Sequence, residues 1–151
     1  MCILASTSQM KELDRTAIED WKISSLRLME RAAGAVADRV ARLTPKDALG
    51  KRIAVFCGPG NNGGDGIAAA GILLKEGYEV RVYLVGNREK MTPDSRAMEQ
   101  KLQEAGGRLE AYAPTQPPQQ EWTRSSSCII DALFGVGLKR PITGDFLSAV
   151  R

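Results

Sequence analysis

The sequence has no histidine. Ser-His-Asp and Cys-His catalysis, histidine-ligated metals and imidazole general bases are thereby excluded. Any acid–base chemistry falls to Asp, Glu, Lys, Tyr, Cys or bound water. Cysteine is also scarce: Cys2, Cys57 and Cys128 are an odd number with no C-x-x-C spacing. That argues against a disulfide framework or a zinc site and favours a reducing, cytoplasmic compartment. Cys57 and Cys128 fall in apolar runs and, with no histidine to activate them, read as small core residues. Aromatic residues make up only 5% of the chain, and Trp21 and Trp122 read as packing residues rather than base-stacking platforms. No apolar run approaches a membrane span, and the start Met1-Cys-Ile-Leu-Ala-Ser6 is too short and lacks the basic flank of a signal peptide. A net charge of +3, from 21 basic and 18 acidic scattered residues, gives no case for nucleic acid or an anionic membrane.

What is present is the pattern of a single ordinary globular domain of 151 residues. A first helix is expected over residues 8–20, capped by Ser6 or Ser8. A second begins at Ser24 or Ser25 and ends before Pro45. Its apolar set Leu26, Met29, Ala33, Val36, Val40 steps by three and four. The small residues Ala32–Ala35 suit close packing, either on the domain's own sheet or in self-association. From Lys51 the pattern alternates. Lys51–Cys57 reads as a buried strand, Ile67–Glu76 as a helix stopped by Gly77, and Glu79–Val85 as a strand. Thr92-Pro93 opens a further helix that runs to Gly106. Arg108–Tyr112 reads as a short strand and Ala113–Arg124 as a loop with at most one helical turn. Ser127–Asp131 reads as a buried strand, and Asp145–Arg151 as a helix after a long loop. Alternation of this kind predicts an α/β fold: a mainly parallel sheet with helices on both faces, three layers, Rossmann-like. In such sheets ligands bind outside the strands' carboxyl ends, here the loops after Cys57 and after Asp131.

The first of these loops, GPGNNGGDG (Gly58–Gly66), contains G-x-G-x-x-G between a strand and a helix, the context of a dinucleotide fingerprint. An ordinary dehydrogenase does not fit well. The acidic residue expected at the end of the second strand is replaced by Val85-Gly-Asn-Arg-Glu89, where Asn87 is a weak substitute and Arg88 suits a 2′-phosphate. Asn61, Asn62 and Asp65 also bring side-chain oxygens where bare amides would serve an anion, which suggests orientation of a polar ligand or a hard cation. A P-loop is excluded, since no Lys-Ser/Thr follows Gly63.

These residues, with Ile130–Pro141 (IDALFGVGLKRP), Gly144-Asp-Phe146, Gln9–Asp14 (QMKELD) and Leu28–Gly34 (LMERAAG), resemble the NAD(P)H-hydrate epimerase family, the YjeF N-terminal domain. The resemblance runs along nearly the whole chain. It implies an isomerase that interconverts the R and S forms of hydrated NADH or NADPH, the damaged cofactor being the substrate, and a partner dehydratase, fused or separate, that repairs the S form. Carried over by position, it implies substrate contacts from Asn61, Asn62, Gly63, Gly64 and Asp65, and from Gly135, Val136, Gly137, Leu138, Lys139, Arg140 and Pro141. One potassium ion per subunit on Asn62 and Asp131, and a homodimer, are implied as well. Asp131, at a strand's carboxyl end, is the first choice as the proton-moving carboxylate and Asp65 the second. The family's D-I-P-S-G segment does not occur. Residues 1–151 are therefore expected to lack the last part of the family domain, with activity impaired as a consequence. Two other readings are a non-catalytic nucleotide-binding or scaffold module and a dehydrogenase-type domain.

Overall fold

The computed structural model describes residues 5–44, 51–136, 138–139 and 141–151. Cys2, Pro45, Gly137 and Arg140 lie outside them. Two helices lead the chain, α1 (Thr7–Glu19) and α2 (Ser25–Leu43). Ser6 caps α1 in a reciprocal capping box with Gln9, and the Ser24 hydroxyl accepts the Arg27 amide at the start of α2. Strands and helices then alternate: β1 (Arg52–Cys57), α3 (Asn61–Lys75), β2 (Glu79–Leu84), α4 (Pro93–Glu104), β3 (Leu109–Ala111), α5 (Pro117–Ser125), β4 (Cys128–Ala132) and α6 (Gly144–Ala149). All pairings are parallel and the strand order is β3-β2-β1-β4. The α/β sheet expected from the alternation is present. Its order reverses between β1 and β4, so the chain's topological switch point lies above those two strands.

Residues alternate across the sheet and build two cores. Ile53, Val55 and Cys57 of β1, Val82 and Leu84 of β2, and Ile130 and Ala132 of β4 face a large core completed by α2, α3 and α4. Ala54, Phe56, Tyr83 and Val85 face the opposite way, onto a smaller core shared with Leu133, Trp122 of α5 and Phe146 of α6. Both cysteines sit where an inert role requires. Cys57 is fully buried and its thiol is pushed well above its ordinary range by that burial; Cys128 is half-buried and shifted the same way.

Several boundaries differ from the sequence-based expectation. In α2 the inward positions are Met29, Ala33, Ala37 and Val40, and Val36 is exposed. The helix packs on α3, where the narrow side chain of Ala37 fits and Val36 falls off the stripe. Segment 117–125 is a helix of nine residues, not a loop with one turn: Pro117 and Pro118 occupy its first positions, where no amide is needed. Trp21 is 69% exposed and so is no packing residue. Trp122 does pack: its indole N–H donates to Ile53 O at 3.3 Å, and Arg52 and Arg81 stack on its ring.

Helix α3 starts at Asn61, six residues before the expected Ile67. What looks like a glycine loop is largely the first turns of a helix. Glycine is unfavourable there by propensity, and its reason is steric. A Cβ on Gly63 would lie 1.8 Å from Gly58 O, on Gly64 2.8 Å from the Met29 side chain, and on Gly66 2.5 Å from Ala132 Cβ. The glycines let α3 press against its own entry loop, against α2 and against the sheet.

Candidate functional site

Three strand ends converge above the switch point and are tied together by backbone hydrogen bonds. Gly58 N donates to Ala132 O at 3.0 Å, extending β1 onto β4, and Val85 N donates to Cys57 O at 2.8 Å, extending β1 onto β2. Gly58 has no room for a side chain, since a Cβ would stand 2.2 Å from Leu133 O. The next turn is anchored from α4: Thr92 N donates to Pro59 O at 3.0 Å, and the buried Ser95 hydroxyl donates to Gly60 O at 2.7 Å. Thr92, the cap of α4, also donates its hydroxyl to Asn61 Oδ1 at 2.7 Å.

The entry loop and first turn of α3 form one wall of a cleft of about 750 Å³. Pro59, Gly60, Asn61 and Asn62 line that wall. Leu133, Phe134, Gly135, Val136, Leu138 and Lys139, from the segment after β4, line the facing one. Asn87, Lys90 and Phe146 complete it. The two walls are joined directly: Asn62 Nδ2 donates to Phe134 O at 3.0 Å across 72 residues of sequence. Asp131 grips the preceding residue, its Oδ1 accepting the Leu133 amide at 3.0 Å. Asn62 and Asp131 therefore hold adjacent residues of one loop, and each keeps one side-chain oxygen beyond those bonds.

The cleft's electrostatics favour anions. Among the described residues its lining carries two lysines and no carboxylate. Gly60, the N-cap of α3, offers no side-chain cap, so the amides of the helix's first turn and the positive end of its dipole are left for a ligand or water. Aliphatic and aromatic surface from Leu133, Phe134, Val136, Leu138 and Phe146 suits the faces of planar rings.

The sequence-derived residues divide into groups. Asn61, Asn62, Gly135, Val136, Leu138 and Lys139 meet in the cleft. Gly63 and Gly64 are buried beneath it by helix packing, and Pro141 is exposed outside its lining. Asp131 stands at the head of the loop with its side chain exposed rather than in the cleft wall. Asp65 is elsewhere. It lines a separate cavity of about 470 Å³ with Asp14, Asp94, Met10, Ile18 and Met29. There its carboxyl is pushed up to about 6, first by burial and then by Asp14. Position along α3 explains the split, because Asp65 and Asn62 are three residues apart but the helix shows the cleft only its N-terminal end. Arg88, considered for a 2′-phosphate, is ion-paired with the nearly buried Glu99. Lys90 faces the cleft instead. It was missed because a 3₁₀ turn over Arg88–Lys90 reorients it. The signal available was the asparagine cap at Asn87.

The family model for the YjeF-related protein N-terminus matches residues 25–151. An NAD(P)H-hydrate epimerase of Rhodobacter capsulatus is 38% identical over 95% of this chain and 67% of its own length. A bifunctional NAD(P)H-hydrate repair enzyme of Moorella thermoacetica is 34% identical over 93% of this chain and 27% of its own length. The crystal structure of yeast ynu0, YNL200c, superposes with a TM-score of 0.83 at 28% identity, covering 99% of this chain and 63% of that one. The chain thus spans about two thirds of the curated epimerase and just over a quarter of the bifunctional protein.

Proposed function

The chain belongs to the YjeF-related N-terminal family, and from that premise we propose that it is an isomerase of damaged nicotinamide cofactors, interconverting the R and S hydrates of NADH and NADPH. The observation that supports this reading is the union of two distant stretches, Pro59–Asn62 and Leu133–Val136 with Leu138 and Lys139, in one anion-favouring cleft at the switch point. The first-turn amides of α3 take the pyrophosphate, Lys139 adds a second anion contact, and Phe134 and Leu138 line the rings. A hydride carrier is not required: the dinucleotide is the substrate.

Epimerisation inverts one carbon, the one bearing the added hydroxyl. The C–O bond breaks as the hydroxyl takes a proton and leaves as water, while the ring nitrogen's lone pair fills the deficit and gives a conjugated cation. Water then adds to the opposite face and returns a proton. One carboxyl group suffices for both transfers, and as a carboxylate it stabilises the cation between them. Asp131 is proposed for this role because its second oxygen remains beyond the Leu133 bond and, among the described residues, no carboxylate lines the cleft itself.

A potassium ion, one per subunit, belongs to the same proposal. The residues fit it: Asn62 and Asp131 offer one amide and one carboxylate oxygen beside adjacent loop residues, a donor set suited to a hard cation. Among the described residues no group of three or more His, Cys, Asp or Glu could hold a metal. When bound, the ion would be held by Asn62 and Asp131 and would supply a fixed positive charge beside them. A homodimer, checked by sedimentation velocity, and a dehydratase acting on the S form complete the reading; the bifunctional relatives support the latter.

The test is epimer exchange. Pure R hydrate of NADH is incubated with the protein in potassium buffer and in potassium-free buffer, and the S form is followed by chromatography. Exchange well above the spontaneous rate, faster with potassium, is expected. Exchange at the spontaneous rate in both buffers contradicts the proposal.

A further inference from the structure

At the end of the cleft nearest β2 the lining comes from Asn87 and Lys90. In doubly wound sheets the residue just after the second strand meets the adenosine ribose: a carboxylate there holds a free 2′-hydroxyl, and a cationic group accommodates a 2′-phosphate. Here that position is occupied by a rigid cationic turn. Gly86, at φ +100°, swings the chain away from β2. Asn87 then caps a 3₁₀ turn, its Oδ1 accepting the Glu89 amide at 2.8 Å. Arg96 of α4 pins the turn from outside by donating to Arg88 O at 3.0 Å and Glu89 O at 3.2 Å. Met91, buried, fixes its far end.

The turn sorts its charges. Arg88 is held by Glu99 and is not among the cleft's lining residues. Glu89 is not among the cleft's lining residues, whereas Asn87 and Lys90 are. Among the described residues Lys90 has no ion-pair partner and the cleft it lines has no acidic side chain. Lys139 follows β4, on the other side of β1, so the two cations flank the α3 N-terminus rather than duplicate each other.

We propose that Lys90, with the backbone amide of Asn87 in the same turn, forms a 2′-phosphate subsite and makes the phosphorylated dinucleotide hydrate the preferred substrate. The binding claim stands on the cleft alone; the substrate claim rests on the epimerase reading. The first arm of the test is calorimetric titration of the full chain with adenosine 2′,5′-bisphosphate and with adenosine 5′-monophosphate. The bisphosphate is expected to bind roughly tenfold or more tightly, as a charge-assisted phosphate contact requires. In Lys90→Ala the ratio of the two affinities falls toward one, and in Lys90→Arg it is restored. Equal affinities in the unmodified protein, no binding of either probe, or an unchanged ratio in Lys90→Ala overturns the subsite. The second arm compares kcat/KM for hydrated NADPH and hydrated NADH, whose ratio falls about tenfold in Lys90→Ala. If neither hydrate is exchanged while the calorimetric pattern holds, the epimerase reading and the substrate preference fall and the phosphate subsite stands.

Discussion

Two cavities meet at the first turns of α3, and they have opposite sign. Among the described residues the larger, at about 750 Å³, is lined by Lys90 and Lys139 with no acid, and the smaller, at about 470 Å³, by Asp14, Asp65 and Asp94 with no base. Asn61 touches both. The nonapeptide GPGNNGGDG therefore serves two surroundings, its amides and asparagines turned to the anion side and its aspartate to the other. A dinucleotide carrying at least two phosphate charges belongs in the first, where Asp65 does not oppose it.

The largest expected effect comes from removing the close approach that separates the two. Gly63→Ala puts a methyl 1.8 Å from Gly58 O, which is backbone and cannot move aside. A loss of about 3 kcal/mol or more in urea denaturation, or failure to fold, is expected. An unchanged midpoint would mean that α3 does not press on its entry loop as described. Next is Asn62→Ala, which cuts the bond joining the walls of the anion cleft. Epimer exchange should fall about tenfold in kcat/KM, with at most ~1.5 kcal/mol lost in stability. Equal exchange in the variant would detach that bond from function.

The acidic cavity gives a smaller, pH-dependent effect. Asp65's folded pKa, at about 6, lies above its ordinary value, from burial first and Asp14 second. A carboxyl raised in this way leaves the native state holding the extra proton between the two values. Stability therefore falls as pH rises through that window, and the whole penalty is present above about 6. Asp65→Asn removes it, by on the order of 1 kcal/mol once the group's partial exposure is allowed for. The thermal midpoint should rise by roughly 3 °C at pH 8 relative to the unmodified protein, with no gain at pH 4. A gain of equal size at both pH values would show that charge is not the cause. Asp14→Asn, removing only the secondary cause, should give the same profile at lower amplitude.

Much of this architecture was legible in the sequence, and the misses share a cause. Ser6, Ser24 and Thr92-Pro93 mark helix starts through local hydrogen bonding, which a short window reveals. Gly77, at φ +89°, marks a stop for the same reason. The alternation of strands and helices led to the sheet and its loop-bearing edge. What short windows cannot reveal is a glycine placed for a contact distant in sequence. Gly66 is needed because Ala132 is opposite, so the start of α3 looks like loop in the sequence. The same limit separated Asp65 from Asn62, which are neighbours in the motif but face different cavities. Lys90 was invisible until the 3₁₀ turn oriented it.

Comparing the two aspartates tests which side of α3 does the chemistry. The most direct measurement is single-turnover exchange of pure R hydrate by Asp131→Asn and Asp65→Asn side by side. Asparagine keeps an oxygen for the Leu133 amide, so the first variant loses proton transfer without losing the turn. Our account predicts exchange lowered about a hundredfold or more in Asp131→Asn and retained in Asp65→Asn. Retention in the first with loss in the second would place the reaction in the acidic cavity and contradict it.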